Sequence, residues 1–276
     1  MPQTKREIEA VLQQADMRPR HRFGQNFMIE PDLVRLIADA GQIEPGDRVI
    51  EVGPGTGTLT DELLDRGAKV LAVEIDRDLA AAARERFGDR VEVIEDDAMA
   101  GKHELHPAVA DAAAGDAKLV ANLPYNIASP LVIELLIAGS PLLVFTVQKE
   151  VADRLRATPA DGKAYGPLSV VAQSLSDVEV LRVIPPTAFH PRPTIDSALV
   201  RLRRRVRVDG DLAAFSRFVS TLYGQRRKSI RNPLKAIVGD RVDDVLTSAG
   251  LTGSERAGEL GPEIVRLLHK VAQPLH

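Results

Sequence analysis

The residues best suited to chemistry gather around a glycine-rich turn, Glu51-Val52-Gly53-Pro54-Gly55-Thr56-Gly57, which follows an apolar run and opens a helical pattern. Glycines in such a turn permit left-handed backbone and let the main chain approach a ligand closely. A dinucleotide fingerprint would place its third glycine at position 58, which is Thr58, and a phosphate-binding P-loop would need Gly-Lys-Ser/Thr, which is absent. Glu51, just ahead of the glycines, is a poor neighbour for a pyrophosphate and a good one for a cationic or zwitterionic ligand. Glu74 ends the next apolar run, 21 residues after Gly53. A carboxylate there can accept both hydroxyls of an adenosine ribose. Asp97 follows the third run and can take an adenine amino hydrogen. Each acid alone reads as a solvated strand end. One per strand, in this order, they point to a nucleoside site at the switch point of an open α/β sheet.

This ordered set resembles the class I S-adenosylmethionine-dependent methyltransferases over about residues 45–150. The resemblance implies S-adenosylmethionine as cofactor and S-adenosylhomocysteine as product, with Glu51 facing the amino-acid end. The fourth apolar run ends in Asn122-Leu123-Pro124-Tyr125. The exocyclic amine of adenine is a poor nucleophile because its lone pair is delocalised into the ring. The Asn122 side-chain oxygen and a backbone carbonyl can accept its two hydrogens and draw the nitrogen towards tetrahedral geometry. Pro124 helps to fix the carbonyl direction, and Tyr125 offers a flat face for stacking on a base. No general base is needed, because the methylated aminium is itself acidic. Asn and Pro are turn residues in any case, so this tetrapeptide gains its meaning from the acidic site upstream.

Further blocks narrow the resemblance. They are Phe23-Gly24-Gln25-Asn26-Phe27-Met28, Gln148-Lys149-Glu150-Val151-Ala152, Tyr165-Gly166-Pro167-Leu168-Ser169-Val170, the stretch from Pro185 through Phe189 to Pro193, Ile195-Asp196-Ser197-Ala198, and Arg226-Arg227-Lys228. Together they closely resemble the bacterial small-subunit (16S) ribosomal RNA adenine N6,N6-dimethyltransferases, from about Phe23 to Asn232. Two conservative departures are Met28, where Leu is usual, and Tyr223, where Phe is common. The resemblance implies transfer of methyl groups to N6 of two adjacent adenines near the 3′ end of 16S rRNA, on an assembling small ribosomal subunit. By position in the matched motifs, Asn26, Met28, Gly53, Glu74, Asp97 and Asn122 would contact the cofactor, together with Glu51 and Gly55 of the glycine turn. Asn122, Leu123, Pro124 and Tyr125 would form the catalytic centre. Phe189 is a candidate second stacking surface, or else a loop residue anchored in the core. The 23S rRNA adenine methyltransferases of macrolide resistance share the cofactor and adenine motifs; the Gln148–Ala152 and Pro185–Pro193 blocks favour the small-subunit enzymes. A non-catalytic assembly factor on the same fold need not keep an intact pocket, and a DNA adenine methyltransferase usually has Pro where Leu123 stands.

These residues must be held by a particular set of elements. Five short runs rich in Val, Ile and Leu, centred on residues 50, 72, 93, 120 and 145, alternate with helical patterns. They read as parallel strands buried on both faces of a Rossmann-like α/β sheet. Two later runs, VEVLRVIP and ALVRLRRRV, look like an antiparallel pair closing one edge. After Val208 only helical patterns ended by glycine remain. The expected division is a cofactor-binding domain over residues 1–207, with an N-terminal extension over 1–25 and a short helix near 4–15, and a small helical RNA-binding domain over 208–276. Ala-rich 108–117 reads as a surface loop or short helix.

The 276 residues include no cysteine, which excludes disulfides, thiolate metal sites and a cysteine nucleophile; no metal is expected. The start of the chain is polar and no run of about 18 apolar residues occurs. A cytoplasmic protein without a membrane segment, and a monomer, is the expectation. The net charge is only −3, but residues 201–235 hold eleven Arg and Lys against two acids, which leaves −12 on the rest. Self-repulsion in such a stretch is relieved by a polyanion. Arg201, Arg203, Arg205, Arg226, Arg227 and Lys228 are therefore expected to contact rRNA phosphates. For the catalytic centre, Asn122→Ala is expected to abolish methyl transfer while only weakening cofactor binding. Near-normal turnover by this variant would refute the acceptor mechanism.

Overall fold

The computed structural model describes residues 3–14 and 25–273. Its main sheet contains β1 (Arg48–Val52), β2 (Lys69–Glu74), β3 (Val91–Glu95), β4 (Lys118–Asn122), β5 (Leu142–Gln148), β6 (Ser176–Ile184) and β7 (Ser197–Arg204). The spatial order is β3-β2-β1-β4-β5-β7-β6. The first five strands pair in parallel. β7 runs antiparallel to β5, and β6 lies outermost beside it. The expected α/β fold and edge pair are thus present. Val49, Ile50, Leu119, Val120, Leu143 and Val144 are all buried. Successive residues along a strand point to opposite faces, so burial of consecutive ones means that both faces of the sheet are covered.

The covering helices come from the intervening patterns. Among them are α1 (Lys5–Gln14), α2 (Pro31–Ala40), α3 (Thr58–Asp65), α4 (Arg77–Phe87), α5 (Pro107–Ala114) and α6 (Ala128–Ala138). α2 packs on α3, β4 and β5, while α5 packs on β1 and α6. The Ala-rich stretch is therefore a helix, started by Pro107 at its first turn. α1 matches the short N-terminal helix expected from sequence. Its Ile8 and Leu12 join Phe27 and Leu79 in a small buried cluster. Phe27–Met28 forms a two-residue antiparallel ladder with Phe189–His190. Phe23 and Gly24, from the first sequence block, lie outside the described residues.

The chain divides into two compact units, one of Met1–Ala152 with Glu179–Arg203, the other of Asp153–Val178 with Arg204–His276. The second unit takes in a stretch that the sequence reading assigned to the first domain. The reason is packing: α8 (Pro167–Leu175) lies against α9 (Leu212–Tyr223) and α12 (Pro262–Ala272). In the chain α7 (Lys149–Arg156) precedes α8, and α10 (Arg231–Val238) and α11 (Val242–Ser248) come between α9 and α12. Among the described residues no helix is long and apolar enough to cross a membrane.

The glycine turn between β1 and α3 is buttressed from α4. Gly57 caps α3 with a φ of 82°, and a Cβ there would come within 2.5 Å of the Phe87 ring. Arg86 donates to the Thr56 carbonyl at 2.5 Å and pairs with Asp61 of α3. Gly57→Ala therefore incurs left-handed strain of about 1 kcal/mol and an overpacking cost of about 1–3 kcal/mol. Gly46, with a φ of 94° and open space around it, serves as the control, because alanine there adds only the strain, about 1 kcal/mol. Urea unfolding should find Gly57→Ala the more destabilised by a factor of two or more; equal losses would show that Phe87 gives way freely.

Candidate active site

The functional side chains stand where four parallel strands end. Glu51 is the penultimate residue of β1, Glu74 the last of β2, Asp97 follows β3, and Asn122 is the last of β4. The chain leaves β1 for β2 and β3 on one side and returns to β4 on the other. That reversal opens a crevice at the strand ends. Glu51, Gly53, Gly55, Glu74, Asp97, Asn122, Asn26, Met28 and Pro124 all line a single cleft there. The fold thus brings together residues separated by almost a hundred positions.

The two glutamates set the character of the cleft. Glu51 is 1% exposed and Glu74 4%. Burial drives the Glu51 carboxyl up to about 8, opposed by a hydrogen bond from Thr60 and reinforced by the charges of Asp61 and Glu74. Burial likewise drives Glu74 up to about 7, against hydrogen bonds from the Asp76 and Gly55 backbone. Thr60 Oγ1 donates to Glu51 Oε2 at 2.7 Å. Asp76 N and Gly55 N donate to Glu74 at 3.0 and 3.3 Å. Among the described residues no Arg or Lys pairs with either acid. Two desolvated carboxyls without a basic partner, beside a glycine turn, suit a cationic ligand carrying a nucleoside. Asp97 has one carboxylate oxygen engaged by Met99 N at 2.9 Å, which leaves the other for a ligand.

Asn122 is fixed at both ends of its carboxamide. Its Nδ2 donates to the Asn26 carbonyl at 2.8 Å, and Thr146 Oγ1 donates to its Oδ1. The Tyr125 hydroxyl shares a hydrogen bond of 2.9 Å with Ser197 Oγ, and its ring is only partly buried. The Leu123 side chain is buried at 2% and does not line the cleft. Phe189 also stands apart. It is 2% exposed and belongs to the buried cluster that holds Ile37 and Leu199. The core anchor is therefore the role the structure gives it, in place of a stacking surface, because the ladder with Met28 turns its ring inward.

Half of the expected phosphate-binding cations are occupied by the fold. Arg201 pairs with Glu179 at 2.7 Å and Arg203 donates to Gln42 at 2.9 Å. Arg226 donates to the carbonyls of Lys163 and Tyr165 at 3.1 and 3.0 Å. Arg205 is 69% exposed at 3.7 Å from Asp177, and Arg227 and Lys228 are exposed. The sequence reading missed Thr60, Thr146 and the tie of Ser197 to Tyr125. One signal was available: Thr146 is the lone hydroxyl inside the apolar run of β5, and a buried hydroxyl must find a partner.

Comparison with known proteins agrees with this geometry. The family described as "Ribosomal RNA adenine dimethylase" matches residues 17–272. The chain is 40% identical over 263 residues to Ribosomal RNA small subunit methyltransferase A of Anaeromyxobacter dehalogenans, covering 91% of this chain and 92% of the relative. It is 39% identical to the protein of the same name from Thermosynechococcus vestitus, covering 94% and 98%. Among solved structures, the 23S rRNA methyltransferase ErmE aligns with a TM-score of 0.63 at 28% identity, over 90% of this chain and 100% of that one. A dimethyladenosine transferase from Plasmodium falciparum shares the fold with a TM-score of 0.71 at 23% identity, over 88% and 96%.

The buried acid makes ligand-free stability depend on pH. The folded Glu51 carboxyl titrates near 8, against 4.5 for an ordinary glutamate. The folded chain therefore holds the extra proton in this interval, and stability falls as pH rises from about 4.5 to about 8. Glu51→Gln keeps an acceptor for Thr60 and removes the charge. Its stability should match the wild type at about pH 4, below the ordinary glutamate value, and exceed it increasingly as pH rises to about 8. Parallel stability curves from thermal melts would overturn the assignment of Glu51 as a neutral buried acid.

Proposed function

The chain belongs to the ribosomal RNA adenine dimethylase family, and on that footing we propose that it methylates N6 of two adjacent adenines near the 3′ end of 16S rRNA. It is a methyltransferase that uses S-adenosylmethionine and acts on rRNA. The finer reading adds two methyl groups per adenine, an assembling small ribosomal subunit as the substrate particle, a role in its biogenesis, a cytoplasmic setting and a monomeric enzyme. Relatives near 40% identity that carry the small-subunit name favour 16S over 23S rRNA.

The observation that carries this reading is Asn122 in the same cleft as two buried carboxyls that have no basic partner among the described residues. The cofactor supplies a methyl group on a positively charged sulfur. The desolvated acids Glu51 and Glu74 favour a cation in a cleft that no lysine or arginine of the described residues lines. Glu74 accepts the ribose hydroxyls, Asp97 the adenine amino group, and Glu51 faces the amino-acid end. Asn26, Met28, Gly53 and Gly55 shape the remaining walls. Asn122 Oδ1 and the Leu123 carbonyl accept the hydrogens of the target amine, freeing its lone pair. Pro124 restrains that carbonyl, and Tyr125 stacks on the base. Most of the acceleration then comes from position and from acceptors oriented in advance. The exposed Arg205, Arg227 and Lys228 take phosphate contacts.

The test is transfer of labelled methyl groups, with mapping of the product. The substrates are small subunits lacking the two dimethyladenines, naked 16S rRNA and 23S rRNA. Two methyl groups on each of two neighbouring adenines near the 3′ end of the subunit rRNA are expected. Label confined to 23S rRNA would transfer the assignment to the resistance type. Tight subunit binding without any label would mark an assembly factor instead.

A further inference from the structure

Thr146 is a polar residue in a place that ordinarily excludes one. It sits inside β5, in the run Leu-Leu-Val-Phe-Thr-Val-Gln, and is 0% exposed. The parallel register of β4 and β5 sets it directly opposite Asn122. Its hydroxyl donates to Asn122 Oδ1. The orientation of that carboxamide follows from chemistry alone. The Asn26 backbone oxygen can only accept, so the Asn122 nitrogen must face it. Turning the amide over would set two carbonyl oxygens against each other. The oxygen must therefore face Thr146.

A carboxamide offers two N–H donors and two lone pairs on oxygen. Asn26 takes one donor and Thr146 one lone pair. One lone pair of Oδ1 remains. With both ends tied, the amide plane cannot rotate without breaking a buried hydrogen bond, so the remaining lone pair has a fixed direction.

We infer that Thr146 is a positioning residue for methyl transfer, whose hydroxyl holds the Asn122 carboxamide in the plane needed to accept the target amine hydrogen. The inference rests on the proposed role of Asn122. Its consequence is sharpest at the second transfer. An unmodified adenine amine has two hydrogens and can engage Oδ1 and the Leu123 carbonyl together. The monomethyl amine has one hydrogen left and depends on a single, well-directed acceptor. Loosening Asn122 should therefore slow the second methylation more than the first.

The experiment compares wild type, Thr146→Val, Thr146→Ser and Thr146→Ala on small subunits lacking the modification. Cofactor affinity, thermal midpoint, kcat and KM are measured with the ratio of monomethyl to dimethyl adenine. Thr146→Val keeps the volume and removes the donor; Thr146→Ala removes the donor without placing a methyl near Oδ1, should the valine variant not fold. Expected for both is cofactor binding within about twofold of wild type, an unchanged KM, a kcat reduced roughly tenfold or more, and accumulation of monomethyladenine. Thr146→Ser retains the donor and should restore kcat to within about threefold and the dimethyl product. Wild-type dimethylation by the donor-less variants, beside an active wild type, would overturn the proposal. So would a proportional loss of cofactor binding, melting temperature and both methylations, since that is a purely structural role. An inactive wild type would instead overturn the functional reading beneath it.

Discussion

Two carboxyls held out of water at the ends of neighbouring parallel strands are the constraint on which the rest of the molecule depends. Glu51 and Glu74 are nearly inaccessible, and no Arg or Lys of the described residues neutralises them. In isolation such groups destabilise their charged form, and both are pushed towards neutrality. The chain tolerates them because the strand order leaves a crevice where a ligand can provide the missing charge. The sheet, the glycine turn and the Arg86–Phe87 buttress all hold that crevice open at one point. A fold without the reversal between β1 and β4 would separate the acids from Asn122.

The polar partners around the cleft are mostly neutral. Thr60 holds Glu51, Thr146 holds Asn122, and Ser197 holds Tyr125. A hydroxyl is cheaper to bury than a charge and donates one directed hydrogen bond. It orients a functional group without fixing that group's charge, which leaves the acids free to respond to a cationic ligand. Three such hydroxyls come from three different elements, α3, β5 and β7. Two of them, Thr146 and Ser197, hold the Asn122–Tyr125 motif from 24 and 72 residues away.

The basic stretch shows how function and fold divide one set of side chains. Arg201 and Arg226 lie within the dense positive run, yet one neutralises Glu179 and the other ties down two backbone carbonyls. Arg207 likewise bonds the carbonyls of Gln173 and Ser176 and pairs with Asp177. Charge counting along a chain treats every arginine as available to a polyanion. Guanidinium groups are also the natural partners for stray carbonyls, and only the folded arrangement tells the two uses apart.

Local patterns carried much of this protein. The Val- and Ile-rich runs between helical stretches determined an α/β sheet, because strands buried on both faces admit few other residues. The glycine turn with an acid at each strand end determined the cofactor crevice, since strand ends of a parallel sheet meet at one edge whatever the loops do. The short helix expected near residues 4–15 is present as α1. What the sequence could not decide were matters of direction and partnership. Phe189 turns into the core because two residues of an early segment form a ladder with it. Residues 153–178 join the helical unit because α8 packs on α9 and α12. Asn122 keeps one directed lone pair on its oxygen because a strand neighbour takes the other and an early backbone carbonyl holds the amide nitrogen. Each of these is a contact between segments distant in sequence. Periodicity and spacing report which residues share a face or an edge, and only tertiary packing decides what they touch there.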